Sequence, residues 1–121
     1  MQRYRCLVVE DSKTMRSMLA ESLLRIPGME VVEADNGLAG IRALAAGQFD
    51  LVLTDVNMPV MDGYEAMRII KAQHPEIPII AQTAYTLSED RNKCMKAGFN
   101  DYISKPINRV ALFRLVSENL S

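Results

Sequence analysis

Five short apolar runs, each followed by a segment with helical spacing, divide this 121-residue chain into repeating units. Short runs with few polar interruptions are typical of strands that are buried on both faces of a parallel sheet. The second run is the weakest, and we expect it at an edge. The predicted strands are Cys6–Val9, Glu30–Ala34, Leu51–Thr54, Ile77–Ala81 with an extension to Thr83, and Asp101–Ser104.

Signals for helix starts and ends lie between these runs. Ser12 can cap the first helix and Pro27-Gly28 can end it, while Gly47 and Gly98 fit the ends of the second and fourth. The second helix follows an Asn36-Gly37 turn, and capping boxes at Asp62/Glu65 and Thr86/Glu89 open the third and fourth helices. His74-Pro75 ends the third helix. The last helix runs from Ile107 to about Leu120. The apolar positions expected to face inward are Met15, Met18, Leu19, Leu23 and Ile26, then Leu38, Ile41 and Leu44 or Ala45, then Met67 and Ile70.

The strand–helix alternation predicts the fold class. Alternating units with short connections indicate an α/β domain with a parallel sheet and helices on both faces. Right-handed crossovers leave few topologies, and at this length the flavodoxin-like (βα)5 arrangement with strand order 2-1-3-4-5 is favoured. We therefore expect residues 1–121 to form a single domain.

Composition excludes several classes of function. The net charge is −1, so no basic field favours nucleic acid or anionic lipid. No apolar stretch approaches the ~20 residues of a membrane span, and the start of the chain does not resemble a secretory signal. Cys6 and Cys94 have no metal-binding spacing, which favours a reduced compartment. We expect a cytoplasmic protein, or a cytoplasmic domain of a larger one.

Polar side chains end four of the predicted strands. Glu10 and Asp11 follow the first strand, Asp55 the third, and Lys105 the fifth, while Thr83 ends the fourth. Strands 1, 3, 4 and 5 are neighbours in the order 2-1-3-4-5, so these groups converge at the carboxyl edge of the sheet. Ligands bind at this edge in open α/β sheets.

This cluster has the chemistry of a phosphoryl-binding site. Two carboxylates ~4 Å apart repel by about 4 kcal/mol at an effective dielectric near 20, so three acids require a proton or a cation. The oxygen ligands and the absence of His or Cys nearby favour Mg²⁺ over zinc. With Lys105 and Thr83 alongside, a phosphoryl group is the natural ligand. Asp55 is the central acid and the expected nucleophile.

Four segments in this order and spacing identify a family. VVEDS, LVLTDVNMPVMDG, PIIAQTA and AGFNDYISKP resemble the receiver domain of two-component response regulators over roughly residues 5–120. The resemblance implies that Asp55 accepts a phosphoryl group, and that Mg²⁺ is held by Glu10, Asp11, Asp55 and the backbone carbonyl of Asn57. It also implies that Lys105, aimed by a cis peptide before Pro106, pairs with the phosphoryl oxygens.

The same resemblance implies a switch and its partners. Thr83 would bond to the phosphate, and the rotamer of Tyr102 would report the state. The phosphodonor would be a histidine kinase or a histidine phosphotransfer protein that docks near the first helix. The surface of helix 4, strand 5 and helix 5 would change to control an effector. Apolar residues around much of the last helix, including Val110 and Phe113, predict weak homodimerisation through that surface.

Other functions stay open at this point. A pseudo-receiver would use the fold for binding without phosphorylation, although the site residues are complete. A flavodoxin-like carrier needs a phosphate-binding loop after the first strand, and none is present. An Asp-nucleophile phosphatase needs a second acid where Asn57 stands. We therefore expect a switch that assists its own phosphorylation and dephosphorylation, without an external substrate, as a free regulator or part of a larger chain.

Overall fold

The described residues form five strands and five helices in strict alternation. A computed structural model describes residues 3–56, 63–83, 88–105 and 107–120. In chain order the elements are β1 (Tyr4–Val9), α1 (Lys13–Leu24), β2 (Met29–Ala34), α2 (Gly37–Ala46), β3 (Leu51–Asp55), α3 (Gly63–Gln73), β4 (Ile79–Thr83), α4 (Ser88–Ala97), β5 (Asp101–Ser104) and α5 (Arg109–Asn119). This order confirms the predicted (βα)5 class.

The strands form one parallel sheet in the order β2-β1-β3-β4-β5. This is the predicted topology, with β2 at one edge as expected. Asp55 pairs in register with Gln82, and Gln82 pairs with Ile103 on the next strand. The carboxyl ends of β1, β3, β4 and β5 therefore meet at one edge.

Two apolar cores cover the two faces of the sheet, as predicted. On the face that we call the α1/α5 face, Leu19 and Leu23 of α1 and Leu112 of α5 belong to the same buried cluster as Leu53 of β3. On the opposite, α2–α4 face, the buried cluster contains Leu44, Met67, Ile70 and Cys94 from the three helices. Successive strand residues alternate between these faces.

Several predicted boundaries shift by two residues or more. β1 begins at Tyr4 rather than Cys6. β4 begins at Ile79 rather than Ile77, because the amide of Ile77 donates to the His74 carbonyl in the turn that follows α3. α5 begins at Arg109 rather than Ile107, because the Asn108 side chain caps it by accepting a hydrogen bond from Ala111 N, 3.1 Å away.

The predicted inward faces of α1 and α2 are partly wrong. Met18 is 53% exposed and Leu38 is 40% exposed. In α2 the residues that are buried include Gly37 and Gly40, and a Cβ on Gly40 would come within 2.9 Å of Val9 Cγ2. The helix therefore lies close to the sheet along its glycine side, which turns Leu38 outward.

The helix ends follow their sequence signals in most cases. Ser12 and Asn36 cap α1 and α2 by accepting backbone N–H bonds from Met15 and Ala39. Gly98 has φ +116° and ends α4 as predicted, with the amide of Phe99 donating to the Cys94 carbonyl. Gly47 also ends its helix, but in extended backbone with φ −158°. Asp62 and Thr86, the first residues of the two capping boxes, lie outside the described residues.

Candidate functional site

Three carboxylates meet at the carboxyl edge of the sheet. Glu10 follows β1 and Asp55 ends β3, and both are buried, whereas Asp11 is exposed. One oxygen from each of the three carboxylates lies within 4.8 Å of the others. Because Asp11 is exposed, a small ligand or cation can reach the cluster from solvent on that side.

Lys105 joins the buried acids. Its Nζ donates to Oε1 of Glu10 and to Oδ2 of Asp55, each at 3.0 Å. The backbone N–H of Lys105 donates to the Thr83 carbonyl at 2.8 Å, which continues the β4–β5 ladder past Ser104. The ladder thus fixes the base of this long side chain, and the two carboxylates fix its tip.

Burial and neighbouring charges shift the pKa values of Glu10 and Lys105. Burial, a hydrogen bond with Asp11 and the charge of Asp55 raise the pKa of Glu10 to about 7, although Lys105 and the amide of Ser12 oppose the shift. Burial lowers the pKa of Lys105, but its hydrogen bonds and attraction to Glu10 and Asp55 outweigh burial, so the net pKa is raised. Lys105 therefore stays charged, while Glu10 titrates near neutrality.

Two groups at the start of α1, Ser12 and Arg16, donate hydrogen bonds to Glu10. The backbone N–H of Ser12 donates to Oε2 of Glu10 at 3.2 Å, and Arg16 Nη1 donates to the Glu10 carbonyl oxygen at 2.9 Å. Arg16 also lies 3.4 Å from Glu33 on β2. Our sequence reasoning missed Arg16, although its place one turn into the helix after the acid pair was a usable signal.

Thr83 and Tyr102 lie on the α2–α4 face of neighbouring strands. Thr83 is buried, and because it follows Ala81 by two residues on β4 it lies on the same face of the sheet as Ala81. The half-buried Tyr102 packs against the core cluster beneath α2, α3 and α4. Tyr102 pairs in register with Ala81, so the two residues are close along the β4–β5 ladder. Asn57 and the peptide bond to Pro106, both part of the predicted site, lie outside the described residues.

The ligand atoms of the acidic cluster fit Mg²⁺. All three are carboxylate oxygens, which suit a hard divalent cation, and none of the described ligands is a thiolate or imidazole of the kind that selects zinc. A cation here would share Glu10 and Asp55 with the ammonium of Lys105. The cluster can therefore hold a cation and neutralise an incoming anion at the same edge.

A family comparison decides what kind of domain carries this site. The family model described as the response regulator receiver domain matches residues 6–117. The chain belongs to the receiver domain family. In the parts of this receiver domain that the structure describes, no helix is long and apolar enough to cross a membrane.

Curated and solved relatives come from regulators and from sensor kinases. The response regulator protein FleR of Pseudomonas aeruginosa is 37% identical over 113 residues, which cover 93% of this chain but only 24% of FleR. The receiver domain of a P. aeruginosa sensor histidine kinase, solved with a magnesium ion coordinated in its active-site cleft, is 36% identical; the match covers 98% of each chain with a TM-score of 0.86. The chemotaxis response regulator CheY4 of Vibrio cholerae is 29% identical, with coverage of 98% and 100% and a TM-score of 0.89. The present chain thus spans about a quarter of the length of FleR.

Proposed function

We propose that this receiver domain is a phosphorylation-activated switch of a two-component system, in which Asp55 accepts a phosphoryl group. The observation that carries the proposal is the position of Asp55, a buried carboxylate at the end of β3 that accepts a hydrogen bond from Lys105 beside two further acids. A histidine kinase or a histidine phosphotransfer protein would supply the group. Residues 1–121 would act as a single domain in the cytoplasm, where the free Cys6 and Cys94 stay reduced.

Each residue of the site would have its own role in the phosphoryl transfer. A carboxylate oxygen of Asp55 attacks phosphorus as the bond to the donor imidazole breaks, which gives an acyl phosphate. Lys105 offsets negative charge on the transferred group and orients it. Glu10, Asp11 and Asp55, with the backbone carbonyl of Asn57, would hold Mg²⁺. When bound, this ion supplies further neutralisation of the carboxylates and the phosphoryl oxygens.

The switch would pass from the site to the surface through β4 and β5. The new phosphoryl oxygens attract the hydroxyl of Thr83, and Tyr102 on the next strand responds by changing its rotamer. The surface of α4, β5 and α5 then presents a different shape to an effector protein or domain. Later hydrolysis of the acyl phosphate restores Asp55, so the domain assists its own phosphorylation and dephosphorylation without an external substrate.

Acetyl phosphate tests the proposal directly. With MgCl₂ present, intact mass spectrometry should show one added phosphoryl group, and peptide mapping should place it on Asp55. The Asp55→Asn variant should stay unmodified. The matched control is Asp35→Asn, which changes an exposed aspartate that directly follows β2 but lies apart from the acidic cluster. Absence of any added mass would favour a pseudo-receiver, and modification at another residue would contradict the proposal.

A further inference from the structure

Gln82 is a fully buried residue whose side-chain polar atoms have no partner in the part of the chain that the structure describes. No part of its surface reaches solvent, and neither Oε1 nor Nε2 has a hydrogen-bond partner among the residues that the structure describes. Most buried side-chain amides are paired, because an unpaired donor or acceptor loses its bonds to water without compensation. A buried unpaired carboxamide in the middle of a sheet therefore requires an explanation.

The strand register places Gln82 beside the phosphoacceptor. It pairs in register with Asp55 on one side and with Ile103 on the other. By strand alternation it shares the α1/α5 face with Ile80, which belongs to that core. Lys105 follows Ile103 by two residues on this same face, a rise of about 6.6 Å, which two long side chains can span.

Lys105 has a hydrogen-bonding capacity that the described structure does not use in full. Its ammonium has three N–H donors, and Glu10 and Asp55 accept two of them. These two carboxylates also belong to the acidic cluster that fits Mg²⁺. A cation bound there would draw on the same two carboxylates as Lys105, so a further acceptor would help to keep the ammonium in place.

We propose that Gln82 is a positioning residue for Lys105: its carboxamide oxygen accepts an N–H of the Lys105 ammonium when a divalent cation occupies the acidic cluster. The inference deepens the proposed function, since it rests on a cation at that site. It accounts for the presence of an amide at a buried position where Leu or Val would cost less to bury. Gln82 would hold Lys105 over Asp55 before any phosphoryl group arrives.

Mg²⁺ titration of Gln82→Leu, without a phosphodonor, tests this role. In the protein without a substitution, the ¹⁵N-labelled ammonium of Lys105 should stay visible by NMR at saturating MgCl₂. In Gln82→Leu it should broaden through exchange with water, and the dissociation constant for Mg²⁺ should rise about tenfold. Ser22→Ala is the matched control, because Ser22 is a buried polar residue of α1 that bonds Arg109 and lies outside the site.

The outcomes are distinct from those of the phosphorylation test. An unchanged Lys105 signal and an unchanged Mg²⁺ affinity in Gln82→Leu would overturn the positioning role, even if Asp55 is phosphorylated normally. Conversely, the expected NMR change would support that role even if acetyl phosphate failed to modify Asp55. If Gln82→Leu does not fold, Gln82→Met keeps the length of the side chain and removes the amide, and the same two measurements decide.

Discussion

Glu10 and Lys105 form an ion pair of 3.0 Å although they lie 95 residues apart in sequence and at the ends of strands that are separated by β3 and β4. Asp55 lies on the strand next to β1 and accepts from the same ammonium. One side chain thus ties together the carboxyl ends of three strands. The pair is structural as well as chemical, because loss of the ammonium leaves two buried acids without their cation.

Replacement of Lys105 by Met should therefore destabilise the fold. We expect Lys105→Met to lower the free energy of unfolding by about 2 kcal/mol at pH 7.5, less than for a wholly buried pair because the lysine is partly exposed. Urea denaturation measures the change. Lys96→Met, at an exposed position of α4, should change stability little. Equal effects of the two variants would show that the pairing with Glu10 and Asp55 contributes nothing.

The raised pKa of Glu10, about 7, predicts a pH dependence of stability. Between the ordinary value near 4.5 and about 7 the folded state holds a proton that the unfolded state has released, so stability falls as the pH rises through this range. Relative to Glu10→Gln, which cannot titrate, the protein without a substitution should lose about 2–3 kcal/mol of its free energy of unfolding between pH 4.5 and 7.5. Urea denaturation at several pH values checks this. A constant difference between the two proteins would contradict the shifted pKa.

The backbone at the end of α4 gives a prediction that is independent of the site. Gly98 has φ +116°, which strains any residue with a Cβ, so Gly98→Ala should cost about 1–2 kcal/mol. Thermal and urea unfolding give the value. Gly47→Ala is the control, because its extended backbone admits any residue and the added Cβ would meet the flexible end of Arg5. A smaller loss at Gly98 than at Gly47 would refute the argument from φ.

The topology and the meeting of the site residues could be read from the sequence because both follow from parallel strands. Once the strand order is fixed, residues such as Glu10, Asp55 and Lys105 at strand ends must share one edge. The rotation of a helix about its own axis is harder to predict, since it depends on the surface that the helix meets. Leu38 of α2 shows this, because the close approach of Gly40 to Val9 sets the rotation of the helix and no periodicity within the helix reveals it.

The environment of the Gln82 side chain was also beyond sequence reasoning. Within PIIAQTA the residue reads as one polar interruption near the end of an apolar strand. Its complete burial and its lack of a partner among the described residues emerge only from the folded structure, in which β3 and β5 flank it.

Loss of the Thr83 hydroxyl should separate phosphoryl binding from the response. Thr83 is buried on β4 next to the strand that carries Tyr102. We expect Thr83→Ala to bind beryllofluoride, a phosphoryl mimic, yet to lose most of the resulting amide shifts in α4, β5 and α5 by ¹H–¹⁵N NMR. Thr83→Ser, which keeps the hydroxyl and removes only the methyl group, is the matched control and should keep those shifts. Full shifts in Thr83→Ala would rule out this route.

The surface of α4, β5 and α5 should also mediate weak self-association when the site is occupied. The inward residues of α5, Leu112 and Val116, are used by the core, but Val110 is 77% exposed, and Met95 on α4 is exposed as well. Sedimentation velocity with beryllofluoride and MgCl₂ should show a larger dimer fraction than without them, and Val110→Glu should abolish the increase. Met18→Glu, at an exposed position of α1 outside this surface, should leave it intact. A monomer under both conditions, or an equal effect of the two variants, would contradict the assignment of the interface to this surface.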